Sequence, residues 1–195
     1  MALIRADIFS KSMMRTITIN AIVPVGKLSF PGMPVREKKP FKTLYLLHGI
    51  FGNYTDWVSG TRIQRWAEDN NLAVIMPSGE NKFYVDNVDS NDLGSSFIKE
   101  LVEVTRELFP LSDKKEDTFI GGLSMGGYGA IVNGLKYYDT FGYIIGLSSG
   151  LLLEGIYKSN NDAPIFMQRK SYYESIFGIC PKETKNNARE RKRKC

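Results

Sequence analysis

Histidine, cysteine and long apolar stretches are all scarce in this sequence. Its 195 residues include one histidine and two cysteines, Cys180 and Cys195, which is too few for a disulfide framework and lacks the spacing of a metal site. We therefore expect no metal site, and the sequence implies no organic cofactor. No apolar run approaches the roughly 18 residues of a membrane span, and the N-terminus alternates like a strand instead of following the pattern of a signal peptide. We expect a single soluble, cytoplasmic domain without a membrane partner.

Basic charge is concentrated at the C-terminus. The formal net charge is +5, and residues 181–195 contain seven Lys/Arg and two Asp/Glu, whereas the other 180 residues contain nineteen of each sign. This tail has almost nothing to bury, so we expect it to be disordered. Its RKRK run could serve as a nuclear address or contact nucleic acid, but a solvated charged tail is the simpler interpretation.

Residues 1–180 show a regular alternation of apolar runs and turn signals. The pattern predicts strands at 2–9, 14–25, 42–49, 72–77, 117–122 and 141–149, and helices at 61–70, 95–109 and 125–138. Continuous apolar strands that alternate with helices predict an α/β fold, with a mostly parallel sheet covered on both faces. The N-terminal strand pair is then an antiparallel extension of the sheet. The apolar spacing also predicts buried helix faces formed by Ile63, Trp66 and Ala67, and by Phe97, Leu101, Val104 and Leu108.

The stretch FIGGLSMGGYGA, residues 119–130, places five glycines around Ser124. Each glycine inside an element costs roughly 0.5 to 1 kcal/mol relative to alanine, so we expect them where a side chain is excluded. Residues 122–126 fit the G-x-S-x-G pattern between a predicted strand and a predicted helix, the setting in which a strained turn raises a nucleophilic serine above the sheet. The alternative is a glycine-rich turn that binds a phosphate at the helix N-terminus.

A serine that forms an acyl-enzyme needs two hydrogen-bond donors aimed at the developing oxyanion. The backbone N–H of Met125, directly after the serine, is the first candidate. The second should come from the loop after an earlier strand, and LYLLHGIFGNYTDW, residues 44–57, contains two glycines that allow such a turn. We expect the amide of Ile50 to be this donor, with Phe51 as the neighbouring candidate.

Three stretches together resemble one family of enzymes: residues 44–57, LAVIMPSGENKFYVDN at 72–87, and TFIGGLSMGGYGA at 118–130. They are similar to the α/β-hydrolase esterases of the tributyrin esterase and esterase D group, which includes S-formylglutathione hydrolases and is related to the mycolyltransferases. The similarity runs from about residue 2 to about 178. It implies the α/β-hydrolase fold, Ser124 as nucleophile, and Met125 and Ile50 as oxyanion donors. Tyr84 and Trp57 would lie in loops near the pocket, with core packing as the alternative for Trp57.

The sequence departs from this family after the serine. In the family the acid and the histidine follow the serine by roughly 80 and 110 residues, whereas 71 residues follow Ser124 here. The one histidine, His48, belongs to the oxyanion-loop motif, where we expect it to hold the loop and not to act as the base. Asp139 and Asp162 are expected to be loop residues without a triad role. The interpretation is a truncated or frame-shifted chain that lacks the last strands, the acid and the histidine.

These observations predict a serine carboxylesterase that hydrolyses short-chain acyl esters, or S-acyl thioesters such as S-formylglutathione, through an acyl-enzyme on Ser124. A catalytically impaired remnant or a binding protein with the same fold is the alternative, and acyl transfer to an alcohol is less favoured. The expected partner is a small-molecule ester. The strand at 142–147 would form an unpaired apolar edge, which suggests a homo-oligomer.

Overall fold

A computed structural model describes residues 1–26, 39–87, 93–150, 156 and 159–178 of the chain. The predictions for the tail at 181–195 and for both cysteines lie outside these ranges.

The described part of the chain is built on a six-stranded sheet of order β1-β2-β4-β3-β5-β6. Its strands are β1 (Ala2–Ser10), β2 (Arg15–Val23), β3 (Lys42–Leu47), β4 (Leu72–Pro77), β5 (Thr118–Leu123) and β6 (Tyr143–Leu147). β1 pairs antiparallel with β2 and β2 with β4, whereas the pairs from β4 through β6 are parallel. The predicted α/β fold with an antiparallel N-terminal extension is confirmed.

The helices whose bounds the structure describes accompany the sheet. They are α1 (Asp56–Gly60), α2 (Ile63–Asp69), α3 (Gly94–Leu108), α4 (Met125–Lys136) and α5 (Lys170–Phe177), with short 3-10 turns at Lys115–Asp117 and Phe166–Gln168. None of them is long and apolar enough to cross a membrane. The three predicted helices are therefore present as α2, α3 and α4, whereas α1 and α5 were not predicted from the sequence.

The core has two layers, one on each face of the sheet. Strand β3 shows why, because alternate side chains point to opposite faces of a strand. Tyr45 and Leu47 join the cluster that contains the buried residues of α3 and α4, and Leu44 and Leu46 join the cluster that contains Ile63 and Ala67 of α2. Both faces of the central strands are thus covered, as their continuous apolar sequences predict.

The predicted helix faces are partly wrong. In α2, Trp66 is 53% exposed although Ile63 and Ala67 are buried. In α3, Leu108 is also 53% exposed and Val104 is only half-buried, while Thr105 is fully buried. The buried stripe of α3 is therefore rotated from the predicted one, and it consists of Phe97, Ile98, Leu101, Val102 and Thr105.

Strand β6 is the last strand of the described sheet, and its apolar side chains remain accessible. Tyr143, Ile144, Ile145 and Leu147 are between 38% and 62% exposed. Only β5 pairs with β6 among the described strands. This agrees with the expected apolar edge, and association of two chains through it stays a prediction.

Candidate active site

Ser124 lies at the sharp turn between β5 and α4. Its backbone has φ 55° and ψ −111°, a conformation that residues with a side chain adopt only when the surroundings enforce it. Two glycines make the turn possible. A Cβ on Gly122 would lie 2.9 Å from the Cα of Gly126, and one on Gly126 would lie 2.6 Å from the carbonyl oxygen of His48. The strand, the helix and the end of β3 therefore approach each other at backbone distance around the serine.

Hydrogen bonds hold this strained turn from three directions. The Ser124 amide donates to the carbonyl of Leu147 at the end of β6, at 2.9 Å. The Ser124 carbonyl accepts from the amides of Tyr128 in α4 and of Gly150, both at 3.0 Å. The side chain of Ser124 is half-buried, and its hydroxyl makes no hydrogen bond to the part of the chain that the structure describes. The backbone is thus fixed while the hydroxyl is left available.

The loop after β3, residues 48–53, is the candidate oxyanion loop, and it forms a tight turn beside the serine. The Gly52 amide donates to the Gly49 carbonyl at 3.2 Å, and Phe51 within the turn has φ 68°, as expected for the third position of a type II turn. The Phe51 amide is already used, because it donates to Oδ1 of Asn81 at 2.7 Å. The Ile50 amide has no hydrogen-bond acceptor among the described residues. Of the two predicted donors in this loop, Ile50 is thus the one whose N–H remains open.

The two candidate oxyanion donors, Ile50 and Met125, belong to segments in direct contact. Met125 is the first residue of α4, so its amide has no acceptor within the helix. A Cβ on Gly49 would lie 3.8 Å from the Cβ of Ser124, which places the turn of Ile50 next to the serine. The arrangement brings an open hydroxyl and two open backbone amides to one place at the carboxyl end of the sheet.

His48 is buried at 1% exposure, and both of its ring nitrogens are engaged. Nε2 accepts a hydrogen bond from the Gly79 amide at 2.9 Å, so the proton is on Nδ1, which donates to the Gly49 carbonyl at 2.6 Å. Burial lowers the pKa of His48 against the opposing effects of the Gly49 hydrogen bond and the charge of Asp56. The ring is therefore neutral and holds two loops together, and it has no free nitrogen with which to accept a proton from Ser124.

The two aspartates that follow the serine are both exposed. Asp139 lies beyond the far end of α4, about 18 Å along the helix from its first turn by the usual rise per residue. Its carboxylate accepts a hydrogen bond from the hydroxyl of the neighbouring Thr140 at 3.1 Å. The amide of Asp162 donates to Asn160 at 3.1 Å in a surface turn. The structure thus brings neither aspartate into contact with His48.

The two aromatic residues expected near the pocket have different surroundings. Tyr84 is 1% exposed, and its hydroxyl donates to the carbonyl of His48, at the end of β3, at 3.2 Å. Trp57 packs on the core cluster of α2, and its indole N–H donates to the Leu47 carbonyl at 3.2 Å. For Trp57 the alternative of core packing is therefore the one that the structure supports.

A cleft of about 630 Å³ opens beside the oxyanion loop. Phe51 and Gly52 line one side, and Tyr172 and Ile176 of α5 line another. Asn81 links the two sides, because its side chain accepts from the Phe51 amide and its carbonyl accepts from the Tyr172 hydroxyl at 2.9 Å. Asn81 was not predicted as a site residue, since nothing local marks an asparagine in a polar loop as the partner of a turn 30 residues away.

Comparison with known proteins agrees with this architecture. The family model described as "Putative esterase" matches residues 10–179. An acetyl esterase of Caldicellulosiruptor saccharolyticus is 44% identical over 179 residues, which are 91% of this chain and 67% of that protein.

Two solved structures are similar as well. FphF, a fluorophosphonate-binding serine hydrolase of Staphylococcus aureus, aligns with a TM-score of 0.76 and 31% identity over 92% of this chain and 66% of its own. The S-formylglutathione hydrolase FrmB of S. aureus aligns with a TM-score of 0.65 and 34% identity over 76% of this chain and 57% of its own.

The chain therefore spans from 57% to 67% of the length of these three relatives. The family match nevertheless extends over most of the chain and includes the serine turn and the oxyanion loop. The chain belongs to the Esterase family and has its α/β-hydrolase fold.

Proposed function

We propose that this protein is a serine carboxylesterase in which Ser124 forms the acyl-enzyme. One observation carries the proposal: the open hydroxyl of Ser124 is on a strained turn, directly before the open amide of Met125 and next to the turn that carries the open amide of Ile50. Hydrogen-bond donors fixed in advance around a developing negative charge are the largest single contribution to many acyl-transfer reactions. The alternative of a phosphate site at the start of α4 leaves the strained serine conformation and the second open amide without a purpose.

The proposed reaction has two stages. Oγ of Ser124 attacks the ester carbonyl carbon, the carbonyl oxygen becomes an oxyanion held by the two amides, and the hydroxyl proton passes to a base. The bond to the leaving group then breaks, the departing oxygen or sulfur takes up a proton to give the alcohol or thiol, and the acyl group remains on Ser124. In the second stage water attacks the acyl-enzyme, releases the carboxylic acid and restores the serine.

The lack of an available histidine base limits the rate of acylation that these 195 residues can reach by themselves. His48 is their only histidine, and its hydrogen bonds occupy both ring nitrogens. The proton of Ser124 then passes to water or buffer. Enzymes deprived of a triad member retain about 10³ to 10⁴ of acceleration over water from the oxyanion hole and from binding, and we propose that this chain operates in that range.

Small acyl groups are the proposed substrates. The named relatives support this choice, because one is an acetyl esterase and another an S-formylglutathione hydrolase, whose names specify acyl groups of one or two carbons. Oxygen esters and S-acyl thioesters pass through the same acyl-enzyme, so both belong to the proposal. Transfer to an alcohol differs only in the acceptor, and no contact in the structure favours an alcohol over water.

The test is hydrolysis of p-nitrophenyl acetate, butyrate and octanoate by the purified protein and by Ser124→Ala. Ser59→Ala is the matched control, since it removes an exposed hydroxyl from α1. We expect turnover that falls with acyl length, disappears in Ser124→Ala and persists in Ser59→Ala. Equal rates for the protein and Ser124→Ala would contradict the proposal. Product that forms only when an alcohol is added would replace hydrolysis with acyl transfer.

A further inference from the structure

Tyr84 is a large buried side chain in the middle of the elements that carry the two oxyanion donors. Its hydroxyl donates to the carbonyl of His48 at 3.2 Å, and its ring meets the ring of His48 edge to face, with centroids 5.7 Å apart. Burial raises the pKa of Tyr84 well above its usual value, so the hydroxyl keeps its proton and remains a donor.

The carbonyl that Tyr84 holds is a junction between the two donor segments. His48 directly precedes the turn that contains Ile50, and its carbonyl oxygen would lie 2.6 Å from a Cβ on Gly126. Gly126 follows Met125 in the first turn of α4. A shift of the His48 carbonyl therefore changes the position of the Ile50 turn against the start of α4, and with it the separation of the two open amides.

Two glycines leave the space that the Tyr84 ring occupies. A Cβ on Gly79 would lie 2.7 Å from Cδ1 of Tyr84, and one on Gly129 would lie 2.6 Å from Cδ2. Gly79 also donates to Nε2 of His48. The ring thus packs between Gly129 of α4 and Gly79 in the loop after β4. Its position explains why residue 129, one of the five glycines around Ser124, has no side chain.

The backbone of Tyr84 is strained and is anchored from the other side. Phe83 and Tyr84 have φ values of 57° and 56°, and left-handed conformations of such residues persist only where the surroundings enforce them. Nδ2 of Asn133 in α4 donates to the Tyr84 carbonyl at 2.9 Å, and Ser95 donates to Oδ1 of Asn133 at 2.6 Å. The strained backbone of Tyr84 is thus held by the side chain of Asn133, which Ser95 of α3 in turn keeps in place.

We propose that Tyr84 is a positioning residue that sets the separation of the two oxyanion donors through its hydrogen bond to the His48 carbonyl. This inference rests on the proposed function, because it concerns the acylation of Ser124. Tyr84 itself does not touch the ester. It acts through the carbonyl of His48, on the loop that precedes Ile50 and on the helix that begins at Met125.

The test compares Tyr84→Phe with Tyr45→Phe. Tyr45 is also fully buried, and its hydroxyl pairs with Thr105 at 2.8 Å on the far side of the core cluster. Both substitutions remove one buried hydroxyl and keep the ring, so they match in chemistry. The readouts are the rate of Ser124 acylation by p-nitrophenyl acetate, its dependence on ester concentration, and the melting temperature.

We expect Tyr84→Phe to slow acylation by about 2- to 10-fold, the equivalent of one neutral hydrogen bond, with an unchanged half-saturating ester concentration. Both variants should lower the melting temperature by a similar amount, because each loses one buried hydrogen bond. Tyr45→Phe should nevertheless acylate at the original rate. A purely structural role of the Tyr84 hydroxyl would give both variants the same pattern, and acylation of Tyr84→Phe at the original rate would overturn the proposal.

If Tyr84→Phe yields no folded protein, Ser95→Ala is assayed instead. It loosens Asn133, and thereby the Tyr84 carbonyl, from the outer end of the same chain of contacts. Acylation should then slow by about twofold, and an unchanged rate would refute the inference. Failure of the function itself is a separate result: the unsubstituted protein would acquire no acyl group on Ser124, and the role of Tyr84 would fall with it.

Discussion

The close approach at Gly126 allows the account to be tested by adding one methyl group. The Cβ of Gly126→Ala would lie 2.6 Å from the His48 oxygen and 2.7 Å from the carbonyl carbon of Leu47. Both neighbours are backbone atoms at the end of β3, so neither can rotate away as a flexible side chain could. The start of α4 must therefore move away from the oxyanion loop.

The expected cost follows from two opposing effects. Overpacking of a tight contact costs about 1 to 3 kcal/mol, while alanine is favoured over glycine in a helix by about 1 kcal/mol. The net loss of up to about 2 kcal/mol should lower the melting temperature by up to about 8 °C, because each kcal/mol corresponds to about 2 to 4 °C in a domain of this size. The larger separation of the two amides should slow acylation by about 10- to 100-fold.

Gly60→Ala is the matched control. Gly60 ends α1, and a Cβ there meets nothing within 4 Å, so the substitution should stabilise the protein by about 0.4 to 1 kcal/mol and leave acylation unchanged. Calorimetry measures the change in stability, and the p-nitrophenyl acetate assay measures the rate of acylation. A Gly126→Ala protein that melts and acylates like the original would refute the claim that the contact between α4 and the oxyanion loop sets the site.

Three further outcomes are expected. Because burial lowers the folded-state pKa of His48 below its usual 6.5, the unfolded chain binds a proton at this residue before the folded protein does as the pH falls. The stability due to the neutral ring is therefore complete above pH 6.5 and declines below it. Melting curves should show this dependence, and His48→Asn should remove it. Burial opposes ionisation of Glu100, but hydrogen bonds from Ser10, Lys11 and Ser12 outweigh it and lower the pKa of Glu100 from 4.5. Glu100→Gln should therefore reduce the stability of the protein by about 1 kcal/mol near neutral pH and by less as the pH falls below 4.5. An equal loss of stability at pH 3 and pH 7 would contradict the role of its charge. Ile145→Lys should reduce concentration-dependent association in sedimentation velocity, because a charge on the exposed β6 edge opposes pairing, and unchanged sedimentation would exclude that edge as the contact.

The order of the elements and the place of Ser124 could be predicted from the sequence because both depend on local patterns. Continuous apolar runs indicate strands buried on both faces, and glycines on either side of the serine indicate a turn with backbone contacts. The structure shows both features. The same local logic predicted the turn of Ile50 from Gly49 and Gly52, which close it with a hydrogen bond.

The rotated stripe of α3 shows where such patterns fail. Counting apolar residues classifies Thr105 as polar and Leu108 as buried. In the structure the Thr105 hydroxyl donates to the Leu101 carbonyl at 2.7 Å and pairs with Tyr45, so this polar group is buried without an unsatisfied hydrogen bond. Leu108, in the last turn of the helix, is exposed. Its burial was wrongly predicted because amphipathic spacing indicates which face of a helix is buried, but not how far along the helix the core extends.

The contacts around Tyr84 could not be predicted, because they join residues far apart in the sequence. Tyr84 and His48 are 36 residues apart, and Tyr84 and Asn133 are 49 apart. One signal was available: Asn133 is a polar residue in an otherwise apolar helix segment, AIVNGL, and a buried asparagine requires partners for its amide. That pattern predicts a polar contact without identifying the partner.

Intact-mass spectrometry after incubation with p-nitrophenyl acetate shows directly whether Ser124 is the nucleophile of an acyl-enzyme. We expect the protein to gain the mass of one acetyl group, peptide mapping to assign this group to Ser124, and Ser124→Ala to gain none. An unmodified protein, or the same acetylation in Ser124→Ala, would contradict this role of Ser124.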